Sequence, residues 1–305
     1  MERFDVNILG CGSATPSPRH NTSSQIVNIR EKLFMVDCGE GTQTQMRRAR
    51  FAFAKVNHIF ISHLHGDHCF GLLGVISTFG LLGRTSPLFI HAQPELWKIL
   101  KMELDFYCSD LEYEVVFQEF DPAVRDVIYE DRSLTIESIP LRHRVPCTGF
   151  LFREKPVPDH LDRKAADYYG VPMWEFRRIK EGGDFVMPDG TVIPHSRLTA
   201  PGVPGRSYAY CCDTAYNPDM FGQIHGVNLL YHDCTYGNEE GMRAEKYFHS
   251  TAGQAAETAH KADVGQLLLG HFSARYEDES LLLEQARPIF PNSLLAKEGM
   301  QIKVL

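Results

Sequence analysis

Short apolar runs broken by sharply polar residues set the predicted elements of this chain. Residues 4–9 alternate loosely and stop at Gly10, which predicts a strand closed by a glycine turn. Residues 26–29 and 33–36 are β-rich, and Arg30, Glu31 and Lys32 between them predict a tight charged turn. Residues 39–50 predict a helix whose late basic residues suit the negative end of its dipole. Further strands are predicted at 56–62, 87–91, 113–117, 134–141, 208–212, 227–231 and 267–269. Further helices are predicted at 68–82, 95–106, 251–262 and 279–287.

One event recurs along this pattern. An apolar β-rich segment ends, and a His or Asp follows at once: Asp37, His63, His143, Asp213, Asp233 and His271. Loops leaving strand ends are where layered α/β folds place their chemistry. Early strands look hairpin-like and later ones alternate with helices, so mixed sheets covered by helices are predicted. Residues 153–183 break the rhythm with prolines and seven Lys or Arg. A short helix is predicted across 161–169, with a return to the core near Asp184. The segment is either a charged surface insertion or a partner-binding arm.

At 305 residues, the chain fits one large domain or two modest ones. Hydrophobic residues at 43% exclude a fully disordered chain. Charge interrupts every apolar window, so no transmembrane helix or membrane partner is expected. The opening MERFDVNILGCGS has no long apolar core, so no secretory signal is expected. Eight scattered cysteines without a CxxC predict a reducing, cytoplasmic setting. A net charge of -8 gives no global attraction to nucleic acid but leaves room for a local basic surface.

The fourteen histidines matter most, and His63-Leu64-His65-Gly66-Asp67-His68 concentrates them. Imidazole and carboxylate suit zinc, manganese or iron. One small loop cannot easily point four ligands at a single tetrahedral ion, so two nearby ions are expected, with Gly66 permitting a sharp turn. The strand-end residues His143, Asp213 and His271 supply the missing ligands. A balanced division gives one ion His63, His65 and His143 and the other Asp67, His68 and His271. Asp213 bridges, and a hydroxide between the ions completes both shells. Asp37 either orients a ligand imidazole, anchors the loop or caps a helix. Gly10, Gly12 and Ser13 form a glycine-rich turn without a Walker lysine. Arg275, beyond Ser273, either holds a phosphate oxygen or makes a surface salt bridge. Cys211 and Cys212 read as packing residues.

HLHGDH resembles the signature of the metallo-β-lactamase superfamily, and the resemblance is closest to its tRNA 3′-processing endonucleases, the ribonuclease Z family. LGCGSATPSPRHNTSS, FMVDCGEGTQTQM, LRHRVPCTGF, YHDCTY, HSTAGQAA and GHFSARY carry it across nearly the whole chain. The resemblance implies a four-layer αβ/βα sandwich with two mixed sheets, spanning 1–305 as one catalytic domain with a protruding arm inserted at 153–183. It places His63, His65, Asp67, His68, His143, Asp213 and His271 at seven metal-ligand positions for two zinc ions per subunit, with manganese as a possible substitute. It implies cleavage of precursor tRNA after the discriminator nucleotide, by attack of a metal-bridging hydroxide. Products would be a tRNA 3′-hydroxyl and a trailer 5′-phosphate. Asp67 would orient or deprotonate the water, and His249 would protonate the leaving 3′-oxygen, with Glu245 polarising its ring. Ser273 and Arg275 would contact phosphate or support the centre. Arg163, Lys164, Arg177, Arg178 and Lys180 would bind RNA, the arm acting across a homodimer. Relatives carry a second Gly-Pro turn where this chain has Met173-Trp174-Glu175, and Trp174 is expected to pack the arm onto itself. Another hydrolase of the superfamily, such as a cyclic phosphodiesterase or an arylsulfatase-like enzyme, is the alternative. A catalytically silent RNA-binding scaffold is a third reading.

Overall fold

A computed structural model describes residues 2–305. The apolar runs assemble into two seven-stranded mixed sheets. The first has the spatial order Gln301–Lys303, Phe4–Gly10, Ser24–Ile29, Lys32–Cys38, Val56–Phe60, Leu88–Ala92, Val115–Glu119. Its hairpin half is antiparallel and its later half parallel. Arg30 and Glu31 both take positive φ, 54° and 64°, as a two-residue hairpin turn of matching twist requires. The second sheet runs Ser293–Leu295, Gln266–Gly270, Leu229–Asp233, Ser207–Cys211, Thr148–Glu154, Leu134–Pro140, Val127–Glu130. Its first four strands are parallel, and the last two antiparallel.

Aromatic side chains fill the space between the sheets. Phe34 meets Phe152, and Phe60 meets Phe150, edge to face with ring centroids 6.0 and 5.5 Å apart. Tyr208 and Tyr210 are buried in the same layer, and their hydroxyls donate to Gln25 and Asp37. Helices Leu72–Leu81 and Pro94–Tyr107 bury Val75, Ile76, Phe79, Leu96 and Leu100 in the core cluster of the first sheet. Helix Ala252–Lys261 contacts the strands Leu229–Asp233 and Gln266–Gly270, with Ala255, Ala256 and Ala259 fully buried. The result is the expected four-layer αβ/βα sandwich.

Several elements depart from the sequence pattern. The helix expected over 68–82 is two, Gly66–Cys69 and Leu72–Leu81. At the break, Gly71 packs so tightly that a Cβ would lie 2.1 Å from the Gly39 carbonyl oxygen. Gly66 does not supply a left-handed turn. It starts a helix, and its missing side chain makes room for the Phe70 ring. The helix expected over 39–50 is only Thr42–Arg48, because Gly41 before it takes φ +84°. Strands Val127–Glu130, Thr148–Glu154, Ser293–Leu295 and Gln301–Lys303 had no clear signature in the pattern.

A second compact unit consists of Arg132–Leu134 and Arg153–Arg206, and so continues past residue 183. It has its own small core of Ala166, Val171, Ile179, Phe185, Ile193 and Leu198. Asp162 caps helix Arg163–Tyr168 by accepting from the backbone of Lys164 and Ala165. Trp174 does not pack this unit onto itself: it is 81% exposed, as is Tyr168. The short Met173–Glu175 turn leaves it outside the core.

Candidate metal centre

Three strands of the sandwich end in a left-handed backbone on a residue other than glycine. Asp37, Asp213 and His271 have φ of 55°, 55° and 61°, and all three are buried. That conformation costs an L-residue about 1–2 kcal/mol, so packing must enforce it. It turns each side chain off its strand. The HLHGDH loop leaves strand Val56–Phe60, and His65 precedes helix Gly66–Cys69 in extended conformation. His143 enters from the loop after Leu134–Pro140.

These loops converge on two adjoining groups. His63 Nε2 lies 3.0 Å from His65 Nδ1, which lies 3.2 Å from His143 Nε2. Asp213 Oδ2 closes this group, 3.5 Å from His63 Nε2. Its other oxygen, Oδ1, lies 3.0 Å from His271 Nε2 and 3.3 Å from His68 Nε2. Asp67 Oδ2 completes the second group at 3.5 Å from His68 and 3.6 Å from His271. All seven side chains singled out in the sequence therefore meet, and Asp213 faces both groups with separate oxygens.

The outer ring nitrogens explain why these imidazoles aim as they do. His68 Nδ1 lies 2.7 Å from Asp37, which also accepts from Ser62 and Tyr210. His143 Nδ1 donates to the Phe248 carbonyl at 3.0 Å. His271 Nδ1 meets Thr235 Oγ1 at 2.9 Å, and His63 Nδ1 meets Ser62 Oγ at 3.1 Å. Each contact fixes one nitrogen and turns Nε2 inward. Asp37 thus anchors an imidazole and the HLHGDH loop. It is not a helix cap, since Gly41 occupies that position.

The donor set fits cations. His68 Nε2 and His271 Nε2 are buried and make no aligned hydrogen bond, although Asp213 Oδ1 lies 3.3 and 3.0 Å away. Burial, reinforced by His68, pushes His63 well below the usual imidazole range, and burial likewise lowers His65 and His143. Neutral imidazole is the form that binds metal. Burial opposes charge on Asp213, but His271, His68 and His63 hold its carboxyl well below the usual range. Asp213 in turn outweighs burial at His271 and raises it to about 10. The carboxylates therefore draw positive charge into a water-poor pocket. Cys212 also lies within this cluster, but burial and then Asp213 push its thiol well up. It donates to Asp213 Oδ1 at 3.1 Å.

His249 stands beside this cluster, its ring 5.2 Å from that of His143 and 5.3 Å from that of His271. Its Nδ1 contacts Asp233, not the expected Glu245, whose side chain is exposed. Thr251 and Gln254 form a capping box on the next helix and hold the His249 segment. Arg275 is occupied by Glu240 at 2.8 Å and by Ser273 Oγ at 3.3 Å. Arg163, Lys164, Arg177, Arg178 and Lys180 are exposed on the second unit, and the three arginines pair with Asp167, Glu181 and Glu175. Sequence reasoning missed the roles of Ser62, Thr235 and Asp233 as anchors. Only Asp233 had carried a signal, as a strand-end acid.

The family model of Anti-Pycsar protein Apyc1 matches residues 4–157, which include HLHGDH and His143. Human tRNase Z, short form, superposes with a TM-score of 0.71 at 22% identity and covers 99% of both chains. A diphosphatase of the PhnP family superposes with a TM-score of 0.64 at 16% identity, covering 98% of this chain and 97% of that one. Both show the fold. Ribonuclease Z of Porphyromonas gingivalis is 47% identical over 302 residues, 99% of each chain. Ribonuclease Z of Phocaeicola vulgatus is 58% identical over 304 residues, which span 100% of this chain and 98% of that protein. With its fold, its converging side chains and this end-to-end identity, the chain belongs to the ribonuclease Z family.

Proposed function

We propose that this protein is a zinc-dependent endoribonuclease that removes the 3′ trailer from precursor tRNA. It cuts after the discriminator nucleotide and leaves a 3′-hydroxyl on the tRNA and a 5′-phosphate on the trailer. The convergence of six His and Asp side chains around Asp213, in a chain aligned end to end with ribonucleases Z, carries this reading. His63, His65 and His143 would hold one zinc ion, and Asp67, His68 and His271 would hold a second. Asp213 faces both ligand groups with separate oxygens, and manganese would accept the same ligands. Such ions supply Lewis acidity toward phosphate oxygens and lower the pKa of bound water.

The chain's own residues do the rest. Asp67, whose Oδ2 accepts from the Ala14 backbone at 2.8 Å, orients and deprotonates the attacking water. His249 protonates the leaving 3′-oxygen from Nε2, since its Nδ1 is held by Asp233. Exposed Lys164, Lys180, Arg163, Arg177 and Arg178 give the second unit a basic surface for the RNA backbone, and exposed Trp174 and Tyr168 offer faces for bases. Arg19, Arg48, Arg50 and Lys55 add basic side chains to a cleft of about 800 Å³ in the catalytic unit. The protein works as a homodimer with the arm acting across subunits. Ile99, Met102 and Phe106 form an exposed apolar stripe on helix Pro94–Tyr107 that supports self-association. Eight free cysteines support a reducing, cytoplasmic setting. No described helix is long and apolar enough to cross a membrane.

A second reading is hydrolysis of a small phosphodiester, which needs contacts at the metal centre alone; the match to the Apyc1 family model ends at residue 157, before most of the second unit. Precursor tRNA, trailer-free tRNA, a cyclic nucleotide and bis-p-nitrophenyl phosphate separate the two. A single cut after the discriminator, faster than hydrolysis of either small ester, supports the tRNA reading. Faster hydrolysis of the cyclic nucleotide overturns it.

A further inference from the structure

The five imidazoles of the centre differ in one respect. The outer nitrogens of His63, His68, His143 and His271 meet a hydroxyl, a carboxylate or a carbonyl. The outer nitrogen of His65 meets a guanidinium instead: Arg144 Nη2 lies 3.3 Å from His65 Nε2. A guanidinium has only N–H donors and accepts nothing. When His65 Nδ1 gives its lone pair to a cation, Nε2 carries the ring proton and can no longer accept. Two donors then face each other, and the Arg144 head must turn away.

The arginine has little else to bind within the protein. Its side chain is exposed, and no carboxylate pairs with it among the described residues. The backbone beneath it is fixed. Arg142 N donates to Thr214 Oγ1, Ala215 N donates to the Arg142 carbonyl, and His143 donates to the Phe248 carbonyl. Arg144 is therefore a long cation on a rigid loop at the open side of the centre. Its planar fork matches two oxygens of a phosphodiester.

We infer that Arg144 is a positioning residue for the RNA backbone. On metal loading its guanidinium leaves His65 and takes a non-bridging oxygen of a phosphate at or beside the cut. The inference rests on the proposed tRNA reading. It assigns a phosphate contact to a residue that sequence reasoning passed over, while Arg275 is already engaged by Glu240.

The test uses binding, so that it does not depend on turnover. A precursor tRNA with a methylene group replacing the 3′-oxygen at the cut cannot be cleaved. Its affinity is measured for wild type, Arg144→Gln and Arg144→Lys, each zinc-loaded and chelated. Zinc content and affinity are measured in parallel. Arg144→Gln should lose about 10–100-fold in affinity when loaded and only about twofold when chelated, the range for a charged hydrogen bond. Arg144→Lys should recover part of the loss, and zinc binding should be unchanged. Equal losses in both states, or none, overturn the inference. Loss of zinc in Arg144→Gln also overturns it, by making Arg144 a support of His65. If wild type itself fails to bind the analogue, the tRNA reading fails. The same comparison on a methylene-bridged dinucleotide then decides Arg144 alone.

Discussion

His249 Nδ1 lies 2.8 Å from Asp233 Oδ2, and both partners are fixed by backbone contacts. Asp233 Oδ1 accepts from the Thr235 amide, and the His249 amide donates to the Ala244 carbonyl. Burial favours a neutral His249 ring, but the charge of Asp233 and its hydrogen bond outweigh burial and raise the pKa. A raised pKa keeps the imidazolium to higher pH, as a proton donor needs.

Two substitutions follow from that pair. His249→Ala should fold, retain its metals and lower single-turnover cleavage of precursor tRNA about 10²–10⁴-fold. Asp233→Asn removes the group that raises His249. The alkaline limb of its pH–rate profile should shift to lower pH relative to wild type. An unmoved limb would show that His249 is not the group titrating there.

Asp213 faces both ligand groups, so its loss should affect both metals. Elemental analysis of the zinc-replete protein should give about two equivalents, as seven ligands sharing one carboxylate imply. Asp213→Ala should fall well below that content, and its melting temperature should no longer respond to chelator. One equivalent in fully active wild type would contradict a dinuclear centre.

The boundaries of the second unit govern how its role is tested. Cutting at residue 180 would strip Phe185, Ile193 and Leu198 of their partners in its core. Val157 and Val203 pair across an antiparallel bridge, so replacing residues 158–202 by a short Gly-Ser linker removes the unit cleanly. Precursor-tRNA binding should weaken strongly, while hydrolysis of bis-p-nitrophenyl phosphate should survive. Trp174→Ala should weaken RNA binding by about 1–3 kcal/mol, the worth of one stacked base, with no change in melting temperature. Equal losses on both substrates would tie the unit to catalysis.

Acid stability should reveal a histidine pair outside the ligand set. His58 Nδ1 lies 3.0 Å from His91 Nε2, and His91 stacks on Phe60. Burial lowers His58 to about 4, and burial, then the neighbouring His58, lowers His91 to about 3. Unfolded histidine binds its proton near pH 6.5, so the unfolded state takes up more protons just below that value. Stability should fall from about pH 6.5 toward about 4, at roughly 1 kcal/mol per pH unit for each imidazole. Urea unfolding of metal-free His91→Gln at several pH values should show a shallower decline than wild type. An identical slope would refute the assignment.

The ligand candidates were legible because strand ends announce themselves. An apolar run followed within a few residues by His or Asp singled out His143, Asp213 and His271 without any local motif. Partners across neighbouring strands were not legible in the same way. Glu245 is near His249 in sequence, whereas Asp233 reaches it from the end of strand Leu229–Asp233. The break between Gly66–Cys69 and Leu72–Leu81 was hidden for a related reason. An apolar run reads as one helix until the backbone approach of Gly71 to Gly39 is known. Strand Thr148–Glu154 is buried on nearly every residue, so it lacks the alternation that marks a half-exposed strand.

The left-handed backbone at Asp37, Asp213 and His271 has an evolutionary consequence. Glycine takes that conformation without a steric cost, so selection for folding alone would drift Asp213 and His271 toward glycine, whereas Asp37 also anchors Ser62 and Tyr210. Only selection for chemistry keeps an acid at Asp213 and an imidazole at His271. Relatives that keep the sandwich but carry glycine at these strand ends should therefore have given up hydrolysis, and a sequence survey could recognise such retired descendants without assaying any of them.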